Sequence, residues 1–216
     1  NNTQKLVFVG SSCIYPRNCK QPMKEEYLLS GLLEPTNESY SIAKIAGLKL
    51  AKFYSEKYDI NCICPMFCNL YGIKDNFDLI NSHVLSSFVR KFIDGVDNSQ
   101  EKVILWGTGR VSREFLNVED AAEAIIFLLE KYESCEHINV GSGYEITINE
   151  LALKIADLTG YSGKIIWDKS KPDGMPRKLL DSSKITKLGF KPKISLEEGL
   201  ISTINYYKDL KFKGVY

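Results

Sequence analysis

Leu6-Val7-Phe8-Val9-Gly10-Ser11-Ser12-Cys13 is the stretch on which the reading of this chain turns. Its opening apolar run has no polar alternation, the pattern of a strand buried in a parallel sheet. Gly10 and the serines stop that run and leave a hydroxyl at a strand end. A second stretch, Tyr40-Ser41-Ile42-Ala43-Lys44, lies at the start of a helical pattern and sets a phenol and an ammonium one turn apart. A cation beside a phenol favours the phenolate and makes it a better acid and base near neutrality. Serine, tyrosine and lysine so arranged donate a proton to a carbonyl undergoing hydride reduction.

Outward from these stretches, strand and helix signals alternate, which predicts an α/β fold. A loop over 15–34 carries Pro16, Pro22 and Gly31, and a helix is expected over 36–58 with Ile42, Ile45, Ala46, Leu50 and Phe53 as its apolar or small positions. Strands are expected at 5–9, 61–67, 102–106 and 137–140, and helices at 83–93 and 118–132. Thr147-x-x-Glu150 and Ser195-x-x-Glu198 read as capping boxes opening two further helices.

A dinucleotide-binding sheet normally opens with a strand, a glycine-rich turn and a helix whose N–H groups approach a pyrophosphate. Gly107-Thr108-Gly109 and Gly141-Ser142-Gly143 both follow strands, yet neither has the third glycine. The chain is therefore expected to begin inside such a domain, about three βα units of ~30 residues each into it. The expected fold class is the C-terminal portion of a doubly wound parallel-sheet (Rossmann) domain plus a smaller α/β substrate domain. Residues 1–72 and 113–143 are assigned to the first, incomplete at its N-terminus, and 73–112 and 144–216 to the second.

Composition narrows the function. The 216 residues are 44% hydrophobic and 25% charged with net charge +1, an ordinary globular balance. No basic block points to nucleic acid and no apolar run approaches the ~20 residues of a membrane span. Asn1-Asn2-Thr3-Gln4-Lys5 lacks the apolar stretch of a signal peptide. The cysteines Cys13, Cys19, Cys62, Cys64, Cys68 and Cys135 form no C-x-x-C pair, and only His83 and His137 accompany them. Free thiols in a reducing cytoplasm, with no metal site, are the expectation.

Tyr-x-x-x-Lys alone is weak, since Tyr207 and Lys211 repeat it. With Ser11, however, Tyr40 and Lys44 resemble the triad of the extended short-chain dehydrogenase/reductases that act on nucleotide sugars. Gly10–Pro16 (Gly-Ser-Ser-Cys-Ile-Tyr-Pro), Glu-Pro-Thr-Asn-Glu (34–38), Tyr-Ser-Ile-Ala-Lys-Ile-Ala-Gly (40–47) and Asn-Leu-Tyr-Gly (69–72) carry the resemblance. So do Asp-Asn-Phe (75–77), Asn-Ser-His-Val (81–84), Arg-Glu-Phe-Leu (113–116) and Lys-Pro-Asp-Gly-Met-Pro-Arg-Lys-Leu-Leu-Asp (171–181).

The resemblance implies an NADP(H)-dependent enzyme of a GDP-4-keto-6-deoxy sugar that epimerises C3 and C5 and then reduces C4. Ser11, Cys13, Tyr40, Lys44 and His83 would be catalytic, with Cys13 as base and His83 supplying protons from the opposite face. One oxyanion site at C4 can serve both inversions and the reduction. Gly10, Ser11, Ser12, Tyr40, Lys44, Phe67, Cys68, Asn69, Leu70 and His83 would contact the cofactor. Asn69, Lys91, Trp106, Arg113 and Asp173 would contact the substrate. Lys91 stands where the family carries an arginine, and supplies charge without paired geometry. A homodimer through the tyrosine-bearing helix and the helix after His83 is also implied.

Two neighbours fit less well. A dehydratase would place an acidic pair where Ser12-Cys13 stand, and a simple 4-epimerase needs neither Cys13 nor His83. A 4-reductase of a related keto-sugar or heptose stays open on the residues. So does a non-catalytic chain, because the phosphate-binding turn is missing from the sequence.

Overall fold

The apolar stretch around Leu6 forms β1 (Lys5–Val7) and, past Phe8 and Val9, β2 (Gly10–Ser11). There follow α1 (Glu38–Tyr58), β3 (Asn61–Ile63), β4 (Pro65–Phe67), β5 (Asn69–Tyr71), α2 (Val84–Asp97), β6 (Lys102–Trp106), β7 (Ser112–Asn117) and α3 (Val118–Lys131). Then come β8 (Ile138–Val140), β9 (Glu145–Thr147), α4 (Ile148–Thr159), β10 (Lys164–Asp168), β11 (Arg177–Lys178), α5 (Ser183–Lys187) and α6 (Leu196–Phe212). This computed structural model describes residues 3–79 and 81–216; Asn1 and Asn2 of the N-terminal pentapeptide, and Ile80, lie outside the described residues.

The chain divides into two units, one of residues 1–70, 114–145 and 177–193, the other of 71–113, 146–176 and 194–216. The first holds a Rossmann-like parallel arrangement. β1 pairs with β3 in the register Lys5↔Asn61, β2 with β4 in the register Ser11↔Phe67, and β4 with β8 in the register Phe67↔Val140. Phe8 N–H donates to Ile63 O at 2.9 Å and Ile138 N–H to Cys64 O at 3.1 Å, so the ladder runs on through the breaks. Parallel neighbours need a long crossover, which α1 supplies between the β1–β2 stretch and the β3–β4 stretch that pairs with it.

Cys62, Ile63, Cys64 and Met66 are fully buried, as the apolar run over 61–67 requires. Burial pushes the Cys64 thiol up to about 12, so it stays protonated. The strand at 5–9 departs from expectation. Leu6 and Val9 are exposed, because β1 is paired on one edge only among the described residues. Of the apolar positions expected in α1, Ile45 is buried, together with Ser41, Leu48 and Ala51, while Ile42, Leu50 and Phe53 face outward.

Residues 177–193 fall in the first unit, not with the substrate domain to which the sequence assigned them. The reason is hydrogen bonding. Leu180 N–H donates to Glu114 Oε2 at 2.9 Å, Leu179 N–H to Gln21 Oε1 at 3.0 Å, and Met23 N–H to Leu179 O at 2.7 Å.

In the second unit β6 and β10 pair in parallel, from Lys102↔Lys164 to Trp106↔Asp168. α2 packs on α4, α6 and β6. Phe88 meets Trp167, Phe92 meets Tyr161, and Phe77 meets Tyr207 and Tyr216. Both capping boxes close, at Thr147 with Glu150 and at Ser195 with Glu198. No helix among the described residues is long and apolar enough to cross a membrane.

Candidate active site

Gly10 opens β2 with no room for a side chain, because a Cβ there would meet Met66 of β4 at 2.1 Å. Ser11 then caps a single 3-10 turn over 12–14, its Oγ accepting the Cys13 N–H at 3.3 Å. An oxygen that accepts this bond still has its own proton to give. α1 packs against β2 and against this turn, which brings the tyrosine helix to the serine. Lys44 Nζ donates to Val9 O at 3.0 Å and lies 5.6 Å from the Tyr40 ring centroid and 5.5 Å from that of Phe8.

Exposure separates the two copies of Tyr-x-x-x-Lys. Tyr40 is 47% exposed, whereas Tyr207 is 1% exposed and Lys211 is held by Asp94 and Asp97 at 2.6 and 2.7 Å. The second copy is a packing tyrosine with an ion-paired lysine.

Cys13 Sγ has two donors on it, Lys178 Nζ at 3.1 Å and Asn37 Nδ2 at 3.3 Å. Neither donor was singled out in the sequence. Phe67 lies beside Ser11 in the ladder, the Cys68 N–H is bonded to Val140 O at 3.3 Å, and burial pushes the Cys68 thiol up. Asn69 Nδ2 donates to Glu114 O at 2.7 Å.

Glu114 was also passed over. Its carboxylate is fully buried, accepts the Gly143 N–H at 2.7 Å and the Leu180 N–H at 2.9 Å, and is pushed up to about 7 by burial. It ties the Gly141–Gly143 loop to the segment bearing Lys178. Only its place in the family-like run 113–116 hinted at it.

Leu70 also lies in the first unit, whereas His83, Lys91, Trp106, Arg113 and Asp173 belong to the second. His83 is exposed at the N-cap position of α2 with no side-chain capping bond. Lys91, Trp106, Arg113 and Asp173 line one cavity of about 230 Å³ with Phe88 and Pro172. Trp106 is 56% exposed, so it is not core packing, and the Lys91 and Lys171 ammonium groups lie 5.8 and 5.3 Å from its ring. Lys91 Nζ donates to Ile104 O at 2.9 Å, and burial lowers its pKa. Arg113 donates to Ser112 O at 2.7 Å and Asp173 O at 3.0 Å. The Asp173 carboxylate is turned onto Thr108, accepting its N–H and its Oγ1 proton, each at 2.7 Å. A guanidinium and a lysine around an exposed indole can hold an anion bearing a flat ring.

Comparison with known proteins bears on both units. The NAD dependent epimerase/dehydratase family matches residues 1–141. A protein of Oryza sativa subsp. japonica described as a probable GDP-L-fucose synthase 1 is 52% identical over 95% of this chain. The chain spans 63% of that relative's own length. GDP-L-fucose synthase of Escherichia coli (strain K12) is 47% identical over 99% of the chain and 70% of its own length. Among solved structures, a GDP-mannoheptose C4 reductase from Campylobacter jejuni with NADP bound superposes with TM-score 0.84 at 37% identity, over 96% of this chain and 68% of that one.

Proposed function

Because the chain belongs to the NAD dependent epimerase/dehydratase family, we propose that it carries the reacting groups of an NADP(H)-dependent epimerase/reductase that converts GDP-4-keto-6-deoxy-D-mannose to GDP-L-fucose. The observation that carries this reading is the pairing of an exposed Tyr40 and Lys44 with the Ser11–Cys13 turn. Relatives at 47% and 52% identity described as GDP-L-fucose synthases support it.

The residues present fit a nicotinamide ribose. Lys44 uses Val9 O for one of its three donors, and the half-exposed Tyr40 hydroxyl can meet a second ligand group. A nicotinamide held there would supply the hydride. Tyr40 gives its phenolic proton to the C4 oxygen, and Ser11 donates a hydrogen bond to the same oxygen. During epimerisation those donors hold the enolate oxygen, while Cys13 takes the proton from C3 or C5 and His83 returns one from the other face. Arg113 and Lys91 hold the diphosphate beside Trp106, and Asp173 positions the 107–109 loop. Asn69 stands near the reacting sugar. Gly10, Ser12, Phe67, Cys68 and Leu70 border the cofactor.

A homodimer fits the outward apolar residues Leu50, Phe53, Tyr54 and Tyr58 of α1, and a cytoplasmic site fits the free thiols. A GDP-sugar is the partner in this reading, beside cofactor and second subunit.

The test is product NMR after turnover by the full-length protein with NADPH in D2O. Deuterium at C3 and C5 of GDP-L-fucose is expected. C4 reduction without deuterium at either carbon would replace this reading with a 4-reductase, the activity named for the Campylobacter structure. Absence of both NADPH binding and turnover would leave a non-catalytic protein.

A further inference from the structure

Asn37 occupies the N-cap position of α1, where an asparagine ordinarily accepts a first-turn N–H, yet its side chain makes no capping bond. Ser41, fully buried, instead donates through Oγ to Asn37 Oδ1 at 3.4 Å and Asn37 O at 3.1 Å. With Oδ1 so occupied, the amide nitrogen faces Cys13 Sγ at 3.3 Å. From the far end of the sequence Lys178 Nζ reaches the same sulfur at 3.1 Å. The backbone on the C-terminal side of Lys178 is pinned, Leu179 N–H on Gln21 and Leu180 N–H on the buried Glu114. Two N–H donors from distant segments, each fixed by its own partners, converge on one sulfur. A sulfur in that setting serves as an acceptor, and an ammonium beside it attracts negative charge onto it.

We infer that Lys178, assisted by Asn37, is the positioning residue that holds Cys13 ready to accept a proton from the substrate. The inference rests on the proposed epimerase reading. In the step, the substrate C–H bond breaks and an S–H bond forms. The C–H electron pair moves into the enolate, whose charge rests on the C4 oxygen. The thiolate sulfur takes the proton and becomes a thiol. Reprotonation of the carbon from the other face and loss of the thiol proton to solvent restore the start.

The test uses the full-length protein and iodoacetamide at neutral pH, with the site of modification read by peptide mass spectrometry. Cys19 and Cys135, both partly exposed, are internal references, and buried Cys62 and Cys64 report loss of fold. Lys178→Met and Lys178→Gln are each expected to alkylate Cys13 roughly tenfold more slowly relative to Cys19, and Lys178→Arg to restore most of the rate. Deuterium wash-in at C3 and C5 should fall with the alkylation rate, while hydride transfer to an already epimerised ketone falls less. An unchanged ratio of Cys13 to Cys19 modification in whichever neutral variant keeps Cys62 and Cys64 protected overturns the inference and leaves the epimerase reading standing. Slowed alkylation with no deuterium wash-in by the unmutated protein overturns the epimerase role for Cys13 instead.

Discussion

Glu114 is the most exposed to test of the groups that hold the first unit together, because its burial has a pH signature. Its carboxyl is fully buried and sits at about 7 instead of 4.5, with burial as the largest cause and the Leu180 and Gly143 N–H groups opposing it. Between pH 4.5 and 7 the native state therefore keeps a proton that the unfolded chain has released. Stability falls as pH rises through that window, by about 3 kcal/mol at 1.36 kcal/mol per unit. Glu114→Gln cannot titrate. Its amide nitrogen opposes one of the two backbone N–H donors, which costs about 1–3 kcal/mol at every pH. Urea unfolding of both proteins from about pH 5 to about pH 8 separates the two effects. The variant begins less stable, and the gap to the parent narrows by about 2–3 kcal/mol as pH rises. Parallel curves would refute the argument, and so would a gap that widens with pH, since either means that Glu114 does not carry its proton into the folded state.

Other outcomes follow from the site. Tyr40→Phe should cut hydride transfer by roughly 10²–10⁴-fold with substrate affinity largely kept, read by single-turnover NADPH oxidation; unchanged turnover would remove Tyr40 from the mechanism. Cys13→Ser should slow deuterium exchange at C3 and C5 by about 10²-fold and slow hydride transfer to an already epimerised ketone less. Equal slowing of both would count against a dedicated base. Lys211→Met should cost about 1 kcal/mol in thermal or urea unfolding, because Lys211 is partly exposed and its pairs with Asp94 and Asp97 are screened. Its kcat should match the parent's, and a lower kcat at full folding would make Tyr207-x-x-x-Lys211 more than a packing pair.

Two identical spacings show how far the sequence could be read. Tyr40 with Lys44 and Tyr207 with Lys211 both satisfy Tyr-x-x-x-Lys, and only tertiary packing makes the first 47% exposed and the second 1%. Ser11 and Cys13 were legible because the strand signal and the turn that follows it are local. The buried face of α1 was not. That helix carries apolar residues on more than one side, so the periodic pattern marks Ile42, Leu50 and Phe53 together with Ile45, and of these only Ile45 shares the buried face with Leu48 and Ala51.

The segment that includes Lys178 lay further out of reach. β11 is a two-residue strand with no period of its own, and besides the backbone bonds between the 179–181 stretch and Met23 the segment is tied by single side chains, Glu114 and Gln21, accepting single backbone N–H groups. Such bonds leave no spacing rule in the chain, because either partner is an ordinary polar group until the fold removes water from it. Lys178 and Cys13 are 165 residues apart, and nothing local to either marks the other. What the sequence could disclose was a cysteine two residues from a serine at a strand end. That its sulfur is an acceptor follows only from the donors that the fold delivers to it. If the reading is right, the Cys13 reactivity that remains after Lys178→Met should fall again in the double variant Asn37→Ala with Lys178→Met, because the amide at 3.3 Å is then the remaining donor on the sulfur among the described residues. Equal alkylation rates in the single and double variants would show that the amide contact leaves the sulfur unaffected, and would confine the effect to the ammonium.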